Sequence, residues 1–553
     1  MILGAAGFIA TRFFSIQILK HGFYQALAND QQNLSQVLAP QRGEIFIQEK
    51  DNVWNPLAVN RDLEKVFLVP REVKDKNEVA AKIAPLLQME EGRILEKLKN
   101  PEDPYEPLKS KLDDETAQKI KNFNLAGVHL VSENWRWYPQ GTLASNVLGF
   151  LGIKNDQKTG QYGLEEFYEN DLAGRSGFLK SQKDALGRWL MLADFSSEPA
   201  ANGANLYLTL DQNIQYFTEQ RLKEALKKWN SVSGCAIVLE PQTGAVRALA
   251  SFPNFDPNEY GQVANADVFL NDCTQKVYEP GSVFKPITMA AGLDVGRVSP
   301  DTVFTDVGSL TIGKYIIKNA QEKTYGESTM TKVLEKSINT GAVFVERLIG
   351  GDVFKNYIEA FGFGEKCGID LAGETAGSLK NINENKEINF ATASFGQGIS
   401  ATPLEMASAI GAIANGGKLM RPYLVEKIVG SDGQEKTTQP KITRQVVSPQ
   451  TAAKLTAMLV STVRHGYDKV KIKNYYIAGK TGTAQVPDAS QGGYSDQTIH
   501  SFVGYAPAFN PRFLIFLKMD NPQGIQFASE SLAPVFGALA QYLLDYYEIP
   551  PEQ

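Results

Sequence analysis

In the stretch YEPGSVFKPIT, Ser282 is followed three residues later by Lys285. A hydroxyl and an amine at that spacing lie on one face of a helix, close enough to share a proton. Pro280 and Gly281 predict a turn. Pro286 fits only within a first helical turn, where the N–H it lacks would be unpaired anyway. The pattern therefore places Ser282 at a helix start, where free N–H groups and the positive dipole end favour negative charge developing on the serine. A buried lysine with a lowered pKa can act as its base. Chance also produces S-x-x-K in a chain of 553 residues, so the surroundings must decide.

Two more pieces follow in order. LEKSINTGA carries Ser337-Ile338-Asn339, a hydroxyl and an amide two residues apart at a predicted helix–loop junction, 55 residues after Ser282. IAGKTGTAQVP carries Lys480-Thr481-Gly482-Thr483 on a predicted strand, 143 residues further on. Gly479-Lys480-Thr481 looks like the end of a phosphate-binding loop. That loop needs a glycine where Asn474 stands, however, and Tyr475, Tyr476 and Ile477 suit a strand better. Alone, Lys480 reads as a solvated edge lysine that discourages aggregation. Decoys exist too: Ser132-Glu133-Asn134 and Lys158-Thr159-Gly160 repeat the second and third patterns. Both precede Ser282 and lie in the polar N-terminal half.

Distant segments can converge only if the elements between them fold suitably. From about Gln31 to Asn205 the chain is polar and turn-rich, with short apolar runs (KVFLVP, GVHLVSE) between charged helical stretches such as EVAAKIAPLLQMEEGRILEKLK. This predicts a mixed α/β module with modest cores, more a spacer or docking unit than a catalytic one. Near Leu206 the texture changes. Ile214, Phe217, Leu222, Ala225 and Leu226 recur at helical spacing behind Asp211, a candidate N-cap. GCAIVLEPQTGAVRALAS reads as a β-hairpin turning at Pro241 to Gly244. After a long helical insertion come the strand with Lys480, a second hairpin around Asn510-Pro511, and the helical APVFGALAQYLLDYY. The order predicts an antiparallel sheet covered by terminal helices, with the insertion forming a second, mostly helical lobe. A cleft between lobes is a common place for a site.

Bulk composition excludes several classes. Hydrophobic residues at 43% and a formal charge of −6 describe a globular chain with no basic stripe for nucleic acid. Cys235, Cys273 and Cys367 are odd in number and widely separated, and no disulfide framework or C-x-x-C pair is legible. Four scattered histidines make no metal-ligand spacing, so the chemistry predicted is metal-free. The apolar start is broken by Arg12 after about ten residues, where a bilayer span needs about 20. The preferred reading is the outer half of one anchor helix whose inner half lies outside this sequence. A cleaved signal peptide and a buried N-terminal helix are its rivals.

The ordered trio S-x-x-K, S-x-N, K-T-G resembles the signature of penicillin-binding proteins and serine β-lactamases. TLDQNIQYFTEQRL, VRALASFPNFDPNEY, FATASFGQGISATPLEMASAIGAIANGGKLMRPY and IAGKTGTAQVP are similar to the transpeptidase domain of class B penicillin-binding proteins, the division-associated kind most of all. APQRGEIF and GQYGLEEFYENDLAG resemble that family's N-terminal pedestal, although IQEKDN after Arg42-Gly43 departs from its usual D-R-N-G turn. The resemblance implies an α+β chain in three parts: a partial anchor and juxtamembrane helix at 1–30, a dimerisation-type pedestal at 31–205 and a bilobal transpeptidase domain at 206–553.

It also implies the chemistry. Ser282 would attack a peptidoglycan stem peptide ending in D-Ala-D-Ala, or a β-lactam antibiotic, and form an acyl-enzyme. Lys285 would be the base, Ser337 would pass a proton to the departing amine, and Asn339 would hold substrate backbone and Lys285. The N–H groups of Ser282 and Thr483 would form the oxyanion hole. Lys480, Thr481 and Thr483 would meet the substrate carboxylate. Gly482 would leave room for an extended substrate beside the strand. The loop PDASQGGYSDQT, with Tyr494, would border the acceptor site. No cofactor is implied. A membrane glycosyltransferase of the division or elongation machinery would supply glycan, and a single-pass anchor would leave the bulk extracytoplasmic. Two alternatives stand beside this reading: a D,D-carboxypeptidase or β-lactamase-like hydrolase, and a non-catalytic scaffold or β-lactam sensor.

Overall fold

A computed structural model describes residues 33–50, 53–154, 157–182, 196–487 and 493–552. The predicted anchor at 1–30 lies outside the described residues, as do residues 488–492 of the predicted acceptor loop. Two compact units are present. The smaller is drawn from residues up to Glu44, Asn170–Asn205 and Val429–Glu435, and carries strand Gly177–Gln182 between Asn33–Leu38 and Ser196–Glu198, all antiparallel. The larger holds everything else.

In the N-terminal part of the larger unit, strand Val53–Leu68 runs antiparallel to Ile45–Glu49, Glu106–Leu112 and Val128–Trp137. KVFLVP and GVHLVSE thus fall on two partners of one ladder. Helices Lys76–Leu87 and Asp114–Phe123 bury Ile83, Leu87, Ala117 and Ile120 with Val66 and Leu68 of the long strand. The charged stretch read as one run is two helices, because Gln88 adopts a left-handed conformation (φ 55°) that ends the first.

The C-terminal part of the larger unit begins with α1 (Gln212–Lys228). As predicted, Asp211 caps it, its carboxylate accepting from the N–H groups of Asn213 and Ile214. Then come β1 (Ser233–Leu239) and β2 (Val246–Phe252), the predicted hairpin. The long insertion carries α2 (Lys285–Asp294), α3 (Asn339–Ile349), α4 (Pro403–Ala414) and α5 (Pro449–Gly466). The chain returns to the sheet as β3 (Ala478–Pro487), β4 (Tyr494–Ala506) and β5 (Phe513–Asp520), and closes with α6 (Ala533–Tyr546). The sheet is antiparallel throughout, in the order β2-β1-β5-β4-β3, so β3 is an edge strand.

Alternation decides which residues enter which layer. Ala236, Val238, Phe502, Ile515 and Leu517 join Ile214, Leu222, Phe536 and Leu539 of the terminal helices in one core. On the insertion side lies α4, apolar around nearly its whole circumference and buried from Pro403 to Ile413. Its start is fixed by a capping box, Glu405 N–H on Thr402 Oγ1 and Thr402 N–H on Glu405 Oε2. No described helix is long and apolar enough to cross a membrane.

One feature corrects the sequence reading. Cys235 of β1 and Cys273 form a disulfide across 38 residues, leaving Cys367 as the free thiol. Three scattered cysteines gave no pairing signal; the fold brings two of them to a Cα separation of 5.4 Å. Closing such a loop restricts the unfolded chain, an effect worth about 2–4 kcal/mol. Reduction should therefore lower the urea midpoint of this unit, and identical unfolding curves with and without dithiothreitol would contradict it.

Candidate active site

The turn before Ser282 is built by two glycines. Gly281 has φ +58°, and its N–H donates to Gly396 O at 2.9 Å. Gly396, itself at φ +80°, presses so closely that a Cβ there would collide with the Gly281 carbonyl. Ser282 then lies in one turn of 3₁₀ helix, Gly281–Phe284, with the α-helix starting only at Lys285 and Pro286 in its first turn. The expected helix start is thus a 3₁₀ turn leading into the α-helix, with a chemical consequence. At three residues per turn, side chains i and i+3 eclipse. Lys285 Nζ sits 3.1 Å from Ser282 Oγ.

Lys285 is 1% exposed. Its Nζ also reaches Asn339 Oδ1 (2.7 Å), Ser337 O (2.5 Å) and Ser337 Oγ (3.1 Å). The two carbonyl oxygens can only accept, whereas the two hydroxyls can accept or donate. A neutral amine meets this set well: its two N–H bonds serve the carbonyls, and its lone pair is left for a serine proton. Burial first, and then the positive charge of Lys480, hold the Lys285 pKa well below the usual lysine range.

Ser337 adopts a left-handed conformation, φ 56°, costing about 1–2 kcal/mol for a residue with a side chain. The twist sets its hydroxyl between two lysines, 3.1 Å from Lys285 Nζ and 3.1 Å from Lys480 Nζ. Asn339 opens α3 at the predicted junction, and its Nδ2 donates to Lys318 O at 2.8 Å. Buried Asp306 stabilises this corner. Its carboxylate accepts from Thr340 Oγ1 and Asn319 Nδ2, while Asn319 Oδ1 accepts the Asn339 and Thr340 N–H groups.

Lys480 is fully buried and is not among the residues lining the cleft, so the picture of an edge lysine in water does not hold. Its Nζ donates to Ser337 Oγ, Thr481 O (3.1 Å) and Tyr467 OH (3.3 Å). It lies beneath the cleft, in hydrogen-bond contact with Ser337. Tyr467 escaped the sequence reading. A tyrosine just after Gly466 at the end of α5 carries no local signal. Its hydroxyl nevertheless also contacts Thr481 Oγ1 at 2.8 Å and accepts Thr481 N–H at 3.3 Å.

That last bond orients the strand edge. Alternate N–H groups of a strand point to the same side. Thr481 N–H points off the sheet towards Tyr467, so Thr483 N–H, two residues on, faces the same open side, where the Ser282 turn lies. Thr481 and Thr483 line a cleft of about 660 Å³ together with Ser282, Ser337 and Asn339. Gly482 faces the other way. A Cβ there would strike Ser501 Oγ and come within 2.9 Å of Pro280 O and 3.0 Å of Val283. The glycine is required by the nucleophile's own turn, a different reason from the substrate clearance inferred from sequence.

The decoys stay apart. Ser132 and Asn134 lie in the N-terminal ladder, and Lys158 donates to Asn134 O. Tyr494 does not line the cleft; its hydroxyl donates to Glu279 Oε2 at 3.0 Å, three residues before Ser282. Among the described residues no group of three or more His, Cys, Asp or Glu side chains is placed to hold a metal ion.

A serine, two buried lysines and a strand edge in this arrangement suit acyl transfer, and the comparisons agree. Residues 234–541 match the family described as penicillin binding protein transpeptidase domain, and residues 37–208 match the penicillin-binding protein dimerisation domain. The chain belongs to the class B penicillin-binding proteins.

Relatives of this penicillin-binding protein include stage V sporulation protein D of Bacillus subtilis, 32% identical over 99% of this chain and 84% of that protein. Peptidoglycan D,D-transpeptidase FtsI of Escherichia coli is 28% identical, covering 100% and 91%. Among solved structures, penicillin binding protein 3 of Mycobacterium tuberculosis complexed with aztreonam is 27% identical, with a TM-score of 0.71 over 93% and 98% of the two chains.

Two outcomes test the geometry of this class B site. Gly482→Ala should slow acylation of Ser282 by fluorescent penicillin about a hundredfold, the scale expected when a reacting group is displaced by an ångström; a full rate in the folded variant would show that the turn can yield. Lys480→Gln removes a charge that lowers the Lys285 pKa. The amine then protonates at higher pH, and the acidic limb of the acylation rate should move up in pH. An unmoved limb would mean that burial alone sets Lys285.

Proposed function

We propose that this class B penicillin-binding protein is a serine D,D-transpeptidase that crosslinks peptidoglycan stem peptides in cell division, with Ser282 as its nucleophile. The observation that carries the reading is the continuous chain Ser282–Lys285–Ser337–Lys480, each link a hydrogen bond of 3.1 Å.

The steps follow from the proton inventory. Neutral Lys285 takes the Ser282 proton as Oγ attacks the carbonyl of the penultimate D-alanine. Negative charge develops on the carbonyl oxygen between the N–H groups of Ser282 and Thr483, each such donor being worth about 2.7–4 kcal/mol. The intermediate collapses, and the proton held by Lys285 passes through Ser337 Oγ to the departing amine. Free D-alanine leaves, with Ser282 esterified. An acceptor amine then attacks the ester, giving up its proton along the same path in reverse. The Thr481 and Thr483 hydroxyls meet the substrate's terminal carboxylate over the positive charge of Lys480. A β-lactam enters by the same attack, but its ring opens without releasing a fragment, so the adduct persists.

No aspartate or glutamate lines the cleft among the described residues, so no carboxylate is at hand to activate water against the ester. That favours an amine acceptor over the hydrolase reading. Residues 1–30 serve in this proposal as the membrane anchor, with the catalytic unit outside the cytoplasm and a membrane glycosyltransferase as partner.

Benzylpenicillin should add its full mass to the intact protein, with the adduct on the Ser282 peptide, and Ser282→Ala should carry none. Rapid loss of the adduct would favour a hydrolase. Unchanged cell-wall crosslinking in a strain whose only copy is Ser282→Ala would favour a scaffold.

A further inference from the structure

The cleft is more cationic than one substrate carboxylate requires. Lys318, Lys323 and Lys336 line it, no acid does, and Lys285 and Lys480 lie beneath, in a chain of net charge −6. Lys318 is compensated by Glu322 at 2.8 Å. Lys323 and Lys336 are exposed and have no acidic partner among the described residues. The concentration of uncompensated charge on this wall is therefore local, against the overall sign of the protein.

The wall is also firmly built. Lys336 directly precedes Ser337. Lys323 sits in a loop held from beneath by Asp306: Asn319 Nδ2 donates to that carboxylate and to Lys323 O, and Tyr325 N–H donates to Asp306 Oδ2 at 2.7 Å. Gln321 and Glu322 both take left-handed conformations (φ 56° and 54°), which side chains disfavour, so the surrounding contacts hold the loop in a costly shape. Asp306 thus positions both the Asn339 corner and the shelf beside it. The terminal carboxylate of the donor peptide belongs on the opposite wall, at Thr481 and Thr483. Uncharged sugars would gain little from ammonium groups here, whereas a second carboxylate on the peptide would gain directly.

We propose that Lys323 and Lys336 form a second anion subsite, which receives a carboxylate carried by the donor peptide on the residue preceding its D-Ala-D-Ala end. The inference rests on the transpeptidase reading and adds a substrate requirement to it: a donor stem with a free, unamidated acid at that residue.

The test uses two acetylated peptides ending in D-Ala-D-Ala, one with glutamate and one with glutamine as the preceding residue. The measured quantity is the concentration of each that halves the rate of fluorescent penicillin labelling of Ser282. The glutamate peptide should protect at about fivefold lower concentration, the scale of two exposed charge pairs, and the advantage should shrink as salt is added. In the Lys323→Gln/Lys336→Gln protein the advantage should fall below about twofold, with stoichiometric labelling reporting an intact site. Equal protection by the two peptides, protection by neither, or an advantage that survives the double substitution would each overturn the subsite. Failure of penicillin to label Ser282 at all would instead overturn the functional reading on which it rests.

Discussion

An amine buried beside a second positive charge, with no anion to pair it, is pressed to give up its proton. Lys285 has no carboxylate beside it; it has two carbonyl oxygens, two hydroxyls and a second lysine. Those oxygens satisfy a neutral amine, while burial and the second lysine disfavour a charged one. The protein thus spends folding stability on a lysine held in its basic form. The 3₁₀ turn aligns the nucleophile with the lone pair, Ser337 bends to reach both amines, and Lys480 is enclosed where its charge acts without being hydrated.

The sheet supplies the other half of the site. Because β3 is an edge, every second backbone N–H along it is free to face something outside the sheet. The chain uses one to anchor the strand to Tyr467 and turns the next, at Thr483, towards the nucleophile. Edge strands are ordinarily a hazard, and here the exposed edge lines the cleft. The inward face of the same strand holds Lys480, Gly482 and Ala484 against the turn that presents Ser282, so one strand sets both the floor and one wall of the cleft.

Much of this was legible in the residues. Apolar runs flanking turn residues gave the hairpins, Asp211 announced its helix, and the order of Ser282-x-x-Lys285, Ser337-x-Asn339 and Lys480-Thr481-Gly482 separated the ordered trio from the decoys. What stayed hidden depends on distance along the chain. Cys235 and Cys273 pair only because β1 passes beside the segment leading to the nucleophile. Tyr467 and Asp306 look like any surface tyrosine and aspartate until folding encloses them. The burial of Lys480 and the true neighbour of Gly482 are facts about the layer behind the strand, and spacing within a motif cannot report on that layer.

The close packing around Gly281 bears on drug escape. Gly396 meets it on one side, and Gly482 lies against Pro280 next to it, leaving no space for even one added methyl. A bacterium under antibiotic selection could not readily reshape the serine's immediate bed without crippling its own cell-wall synthesis. Tolerable resistance changes would have to arise at the mouth of the groove, where inhibitor and natural peptide differ in shape.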